Sequence, residues 1–429
     1  MRILVISNLY PPYVLGGYEI LCDQVCRELR RRGHEVVVLT SRYDLDGDAP
    51  AGDASGRPPS PQVYRTLRLY LSFDRPPRLL RRRRWLIGKY NYRQTRACVK
   101  RVHPEIIFIW SQLRLTVGPA RAAQASGCPV VYTFNDENIT SYLPARFRPT
   151  LRGVAAYILD HWVIPSITLK GLAFDHVTCI SQCVKQNVMA QGLPIPHARV
   201  IYQGIPLEQF PPKADMGSIH HPARLLYVGQ LHPYKGVHTL IEAAHRIAER
   251  STGDAHVAPV RFSVTIIGDG PDAYKRRLAD LATQGPAVIE FKGKVPHTEL
   301  PHLYREHDLF VFPSIWREAF GLTHLEAMAS GVPVISTANG GQGEFLRHGE
   351  NALVFQPENA HQLAEHIGRL LRDHALRRRL AERARALVER QFTLERYVSE
   401  LEAFLQEVVA ATNSERARGF LPYAMTPSG

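Results

Sequence analysis

Residues 313–333 read P-S-I-W-R-E-A-F-G-L-T-H-L-E-A-M-A-S-G-V-P and place Glu318 and Glu326 eight positions apart. A strand ends at Pro313, and a helix begins near Gly321 and stops at Gly331. The amides of Phe320, Gly321 and Leu322 would then head that helix at the carboxyl edge of a sheet, where open α/β folds bind ligands. Two glutamates at this interval arise readily by chance, so context must carry the reading. A fully helical interval would separate the α-carbons by about 12 Å, awkward for two carboxylates cooperating on one glycosidic bond. The acids better suit different parts of one hydroxyl-rich ligand, because a carboxylate accepts two strong hydroxyl hydrogen bonds at once.

Two further turns could receive a phosphate. Residues 10–19 (Y-P-P-Y-V-L-G-G-Y-E) carry Gly16 and Gly17, and residues 227–236 (Y-V-G-Q-L-H-P-Y-K-G) carry Gly229, Gln230, Lys235 and Gly236. Each follows a strand and precedes a helix, which aims backbone N–H groups and the positive end of a helix dipole at one spot. Neither is a GxGxxG dinucleotide turn or a GxxxxGK[ST] loop, and tight strand–helix packing also demands glycine. Lys235 reads either as a surface lysine or as a cation reaching back over its turn to a diphosphate.

Apolar strand-like runs alternate with helical stretches along the chain, predicting parallel sheets covered by helices on both faces. The first half offers strands at 3–7, 35–40, 105–110, 130–134, 177–180 and 199–202. The first helix, near 18–32, is stopped by Gly33. The Gly-, Pro- and Asp-rich stretch 44–62 reads as a flexible loop. Alternation restarts at 224–228, 262–267, 288–292, 309–313, 334–336 and 353–355. These runs predict a first Rossmann-like domain over 1–205, a linker over 206–222, and a second such domain over 223–392. A last amphipathic helix over 393–412 and a flexible tail over 413–429 follow.

The chain has 429 residues, 45% hydrophobic and 22% charged, enough for two buried cores and unlike a disordered protein. Six cysteines without a CxxC pair argue against a disulfide scaffold. Cys22/Cys26 and Cys179/Cys183 share a helical spacing that imitates a zinc site but reads better as core. Asp44, Asp46 and Asp48 lack the glycine and glutamate of a calcium loop, so no metal site is expected. The start of the chain reads as a buried strand rather than a secretory leader. Asp160, His161 and Pro165 interrupt the longest apolar stretch, and a soluble cytoplasmic protein is the expectation.

Lys and Arg outnumber Asp and Glu by 53 to 40, giving a net charge of +13. Eleven of these cations lie between Arg75 and Arg101 with no acid among them. That run reads either as a solvated helix face or as a docking surface for an anionic membrane or an acidic acceptor. No nucleic-acid-binding signature accompanies it, and no nucleic-acid partner is expected.

An ordered set of motifs resembles the retaining GT-B glycosyltransferases of the large fourth family (glycosyl transferases group 1). It comprises Gly16-Gly17 with Glu19, Gly33-His34-Glu35-Val36, the 177–181 strand and Val200–Ile205. It continues with Val228–Leu231 and Lys235-Gly236, Ile267-Gly268-Asp269-Gly270-Pro271, Glu318 to Glu326, Gly340-Gly341 with Glu344, and Gly349–Val354. The similarity covers nearly all of residues 1–410. It implies two Rossmann-like domains facing across a cleft, with a nucleotide-sugar held mainly by the second, a glycan, lipid-linked or small-molecule acceptor on the first, and the 393–412 helix crossing back to the first domain. Carried onto matching positions, Lys235 contacts the donor diphosphate, Glu318 the transferred sugar and Glu326 the ribose. Gly16, Gly17, Gly229, Gln230, Gly268, Phe320, Gly321 and Leu322 complete the donor side.

The implied reaction is a metal-independent, same-face transfer assisted by the leaving phosphate, needs no cofactor, and belongs to polysaccharide biosynthesis at the cytoplasmic face of a membrane or in the cytosol. Gln230 stands where the family often has Arg, Asn135-Asp136 where many members have His-Asp, and Gln203-Gly204 where Asn-Gly is usual. Asn135, counted with Glu318 and Lys235 at the reacting centre, can donate to a sugar hydroxyl but cannot act as a general base. A sugar-nucleotide epimerase on the same fold and a non-catalytic nucleotide-sugar-binding homologue are the rival readings.

Overall fold

The computed structural model describes residues 1–42, 61–71, 80–253 and 261–418. The chain divides into two compact units, Met1–Tyr202 with the chain from Val398 onward, and Gln203–Tyr397.

The first unit runs β1 (Arg2–Ile6), α1 (Gly17–Arg31), β2 (Glu35–Ser41), β3 (Gln62–Leu67), α2 (Leu80–Val102), β4 (Ile106–Ile109), α3 (Gly118–Gln124), β5 (Val130–Phe134), α4 (Leu151–Ile158), β6 (Val177–Cys179), α5 (Gln182–Ala190) and β7 (Arg199–Val200). Its seven strands lie in the order β3-β2-β1-β4-β5-β6-β7, every pair parallel. The central strands RILVI and IIFI are almost wholly buried, as helices on both faces require. β3 was not foreseen. It is an edge strand whose only buried residue is Leu67, so no apolar run marks it.

Leu21, Cys22, Val25, Cys26 and Leu29 form the buried stripe of α1, which makes the first cysteine pair core. Burial raises the Cys22 thiol well above its ordinary pKa. The second pair is not helical: Cys179 ends β6 and Cys183 lies within α5. Gly33 ends α1 in the left-handed region at φ +89°, letting the His34 amide reach Leu29 O at 3.1 Å. The aspartates at 44–48 lie outside the described residues.

The second unit runs β8 (Ala223–Val228), α6 (Val237–Gly253), β9 (Phe262–Ile267), α7 (Asp272–Ala282), β10 (Val288–Gly293), α8 (Leu300–Glu306), β11 (Leu309–Phe312), α9 (Leu322–Ala329), β12 (Val334–Ser336), β13 (Leu353–Val354), α10 (Ala360–Arg372) and α11 (His374–Gln391). Its sheet is parallel throughout, in the order β10-β9-β8-β11-β12-β13. Residues 206–222, expected as a linker, pack into this unit. Phe210 is fully buried, Lys213 Nζ lies 3.3 Å from the buried Asp308, and Arg377 Nε donates to Gly217 O at 2.9 Å.

A final helix, α12 (Leu394–Ala417), begins in the second unit and continues in the first. There Glu402 receives Arg32 Nη1 at 2.9 Å and lies 2.6 Å from His34 Nε2. The helix outruns its expected end at residue 412, and so shortens the expected tail, because no Gly or Pro interrupts 412–417. Among the described residues no helix is long and apolar enough to cross a membrane.

Candidate active site

In the second sheet the strand order reverses between β8 and β11. The connections leaving those two strands diverge, which opens a crevice at their carboxyl ends. The loop after β8 carries Lys235 and the loop after β11 carries Glu318. Fold topology thus brings together residues 83 positions apart.

Backbone contacts then fix the loops to each other. The amides of Ile315 and Trp316 both donate to Tyr234 O at 2.9 Å. Gly236 stands at φ +67°, and a Cβ there would come within 2.0 Å of Pro313 O, so only glycine admits this approach. The chain after β12 closes the third side. Thr337 Oγ1 donates to Ser314 O at 2.7 Å, Asn339 Nδ2 to Ile315 O at 2.7 Å, and the Gly341 amide to Glu318 O at 2.6 Å. Gly340 packs as closely, since a Cβ there would sit 2.3 Å from Glu318 N.

Within this frame Lys235 Nζ donates to both Glu318 oxygens, at 2.7 and 2.8 Å, and Ser314 Oγ donates to Oε1. Three residues later α9 starts at Gly321, in the left-handed region at φ +112°, and no side chain caps the helix. The amides of Gly321 and Leu322 therefore head the helix beside the ion pair, as an anion site requires. Phe320 is buried against Phe345 and Phe392, with ring centres 5.4 and 5.8 Å away. Trp316 and Tyr234, both partly exposed, place their ring centres 5.7 Å apart beside the pair.

Glu326 belongs to a separate hydrogen-bond set. Its carboxylate accepts from Tyr304 Oη at 2.9 Å and lies 3.0 Å from His297 Nε2. Burial disfavours a charged His297, but hydrogen bonding to Glu326 and its charge outweigh this and raise the imidazole pKa. The stretch 318–321 is not helical, so the 12 Å spacing expected of a continuous helix does not apply. His324 is fully buried, with Nε2 2.8 Å from Ser336 Oγ, and burial lowers its pKa to about 3, which keeps it neutral.

Gly229 and Gly268 play a structural part. Their amides are taken by Ile267 O at 3.0 Å and Gly293 O at 2.8 Å. A Cβ on Gly268 would fall 1.8 Å from Gly229 O, so the two strand ends approach this closely only with glycine at 268. Gln230 is exposed, and its carbonyl accepts from Tyr227 Oη at 2.9 Å.

In the first unit, Gly16 caps α1 and its amide donates to Glu19 Oε2 at 2.9 Å. Glu19 is buried, which raises its pKa against the pull of that N–H. A Cβ at Gly16 would meet nothing nearer than 3.9 Å, so packing within the chain does not demand glycine there. Gly17 opens the helix and is exposed. Asn135 lines a small hollow of about 30 Å³ together with Tyr18, Ser111, Gln112, Asp136 and Asn138. Its Nδ2 donates to Trp110 O at 2.8 Å. Burial raises the pKa of Asp136 although Asn138 donates to it.

Ser314, His297, Tyr304 and Asp136 are functional candidates that the sequence reading did not single out. Ser314 had a signal, its place two residues past the end of a central strand. Asp136 directly follows Asn135, whereas His297 and Tyr304 reach Glu326 only through tertiary packing.

Two family models match the chain, Glycosyltransferase Family 4 over residues 15–209 and Glycosyl transferases group 1 over 213–387. The chain belongs to this glycosyltransferase family. Among its relatives is a glycogen synthase of Mycobacterium tuberculosis, 28% identical over 97% of this chain and 96% of that one. An uncharacterised glycosyltransferase of Methanocaldococcus jannaschii is 25% identical over 93% and 96% of the two chains. Sucrose-phosphate synthase from Thermosynechococcus elongatus shares the fold with a TM-score of 0.71 at 21% identity, covering 96% of this chain and 99% of that one. The Anabaena protein HepE, solved with UDP and glucose, gives a TM-score of 0.67 at 19% identity, covering 95% and 99%. The two units of this glycosyltransferase are the Rossmann-like domains of the GT-B fold.

Proposed function

We propose that the protein transfers a sugar from a nucleotide-sugar to a glycan, lipid-linked or small-molecule acceptor, with retention of anomeric configuration and without a metal ion. The observation that carries this reading is the Lys235–Glu318 pair at the β8/β11 crevice, beside an uncapped helix start. A diphosphate set against the α9 amides draws Lys235 Nζ toward it. Glu318 is then left to accept hydroxyls of the transferred sugar, and Lys235 exchanges one anion for another. Lys235 and the amides stabilise the charge that grows on the leaving phosphate, which in turn takes the proton from an acceptor attacking on the same face. Glu326 accepts the ribose hydroxyls from its place on α9.

In the first domain, the open space at Gly16, the exposed Gly17 and the hollow beside Asn135 are the parts proposed to meet substrate, with the amide group of Asn135 donating to a sugar hydroxyl. The exposed cations of α2, among them Arg82, Arg83, Lys89 and Arg93, support work at an anionic cytoplasmic membrane face. Arg75 and Arg78 lie outside the described residues.

The UDP bound by HepE makes UDP-sugars the first donors to test. A panel of UDP-, GDP- and ADP-sugars should contain one that raises the melting temperature, because a ligand of the native state alone must stabilise it. That donor, given acceptors in the presence of a chelator, should yield product with the donor's anomeric configuration. A panel with no stabilising member, an inverted product, or loss of transfer on chelation would overturn the reading.

A further inference from the structure

Helix α4 has the sequence LRGVAAYI, yet none of its side chains is buried. Leu151 is 93% exposed, and the turn that follows the helix leaves Trp162 74% and Val163 61% exposed. Leu151, Ala155, Ile158 and Trp162 succeed one another at intervals of four, three and four, so they share one side. Phe147 extends this stripe ahead of the helix, its ring edge-on to Tyr157 with centres 5.8 Å apart. An apolar helix that buries nothing gains little from its own fold.

The charge around the stripe has one sign. From Asn138 to Phe174 the cations are Arg146, Arg148, Arg152 and Lys170, all exposed, and the single acid is Asp160. Asp160 is withdrawn from the surface, buried and bonded to Arg81 Nε at 3.0 Å and the Ala145 amide at 3.0 Å. On the basic helix α2 the aromatic rings lie under their own cations, with Lys89 Nζ 3.8 Å from the Trp85 ring centre and Arg96 5.9 Å from that of Tyr92. Trp162 likewise has Lys170 Nζ 5.3 Å from its ring centre, and α2 leaves Leu86 half exposed, but the larger open apolar surface, Leu151, Ile158, Trp162 and Val163, belongs to α4 and the turn after it. An exposed apolar stripe with a tryptophan near its end and cations at its border suits the boundary between headgroups and acyl chains of an anionic bilayer.

We propose that the α4 stripe and its four flanking cations seat this domain on an anionic lipid bilayer, the apolar side chains entering the interface and the cations meeting lipid phosphates. This goes beyond sugar transfer and does not depend on it. The test mixes the full chain with vesicles of equal parts phosphatidylglycerol and phosphatidylcholine and measures co-sedimentation and tryptophan emission.

The native protein should bind, with a blue shift, and bind pure phosphatidylcholine at least about tenfold more weakly. Leu151→Asp combined with Trp162→Ser should lose binding by about tenfold or more at an unchanged melting temperature, since both side chains are exposed. Arg148→Gln with Arg152→Gln should weaken binding, most at low salt. Glu318→Ala should bind vesicles like the native protein, which separates this result from the transfer reading. Native-like vesicle binding by the Leu151/Trp162 variant would overturn the proposal. So would equal affinity for both vesicle types, or a native dimer that this variant dissociates while neither protein binds lipid.

Discussion

Lys235 Nζ stands 2.7 and 2.8 Å from the two oxygens of Glu318, and the side chains are only 14% and 12% exposed. Each is thus the main counter-charge of the other in a largely desolvated site. Removing one leaves the other charged and poorly hydrated, whereas removing both does not.

This asymmetry predicts non-additive stability. Lys235→Met and Glu318→Gln should each lower the urea midpoint, and the double variant should be more stable than the sum of the two losses implies, with a coupling of about 1–3 kcal/mol. Strictly additive midpoints in the cycle would show that the pair contributes nothing to folding.

Activity should respond more steeply than stability. Glu318→Ala and Lys235→Ala should each reduce transfer by about 100-fold or more while unfolding stays cooperative, since both groups meet charge or hydroxyls at the reacting centre. Steady-state rates with the donor found by the stabilisation panel check this, and near-native turnover by both variants would remove the assigned roles.

The loop after β12 should matter to the site it supports. Gly341→Ala places a Cβ 2.2 Å from Ala319 O and strains the amide contact to Glu318 O, so a loss of about 1–3 kcal/mol together with reduced transfer is expected. Gly127→Ala is the comparison. That residue has φ +73° with nothing within 4 Å, so the change should cost about 1–2 kcal/mol of backbone strain and leave transfer intact. Equal effects on transfer would count against the loop's supporting part.

The His297–Glu326 contact predicts a pH dependence. The imidazole is raised above its ordinary 6.5, so the folded state binds the proton more tightly than the unfolded one. The stability this supplies is fully present below the unfolded value and is lost as pH rises through the folded one. The melting-temperature difference between native protein and His297→Gln should therefore shrink from about pH 6 to about pH 9. A difference that stays level across that range would mean that the pair is not ionic.

Much of the fold was legible because parallel strands buried on both faces must be apolar runs: 130–134, 262–267 and 334–336 were read at their observed bounds. β3 escaped because an edge strand buries little and needs no such run. The end of α12 was set too early because polar residues on a solvated helix look like tail residues unless Gly or Pro stops them. Glu318 and Lys235 were legible as candidates through the motifs around them. Their contact was not, since no spacing rule links residues 83 positions apart.

The sequence alone determined which segments become strands and helices, because burial on two faces or on one stripe leaves a period in residue type. It also placed Gly33 as the stop of the first helix, whereas the need for glycine at 236 and 268 came from how closely separate backbones approach there. The tertiary structure decided which carboxylate pairs with which cation, that Glu326 turns to Tyr304 and His297, that the amides of Gly229 and Gly268 are taken within the sheet, and that α4 is left uncovered. Those outcomes depend on strand order and on how closely separate loops approach, and neither leaves a periodic trace along a single chain.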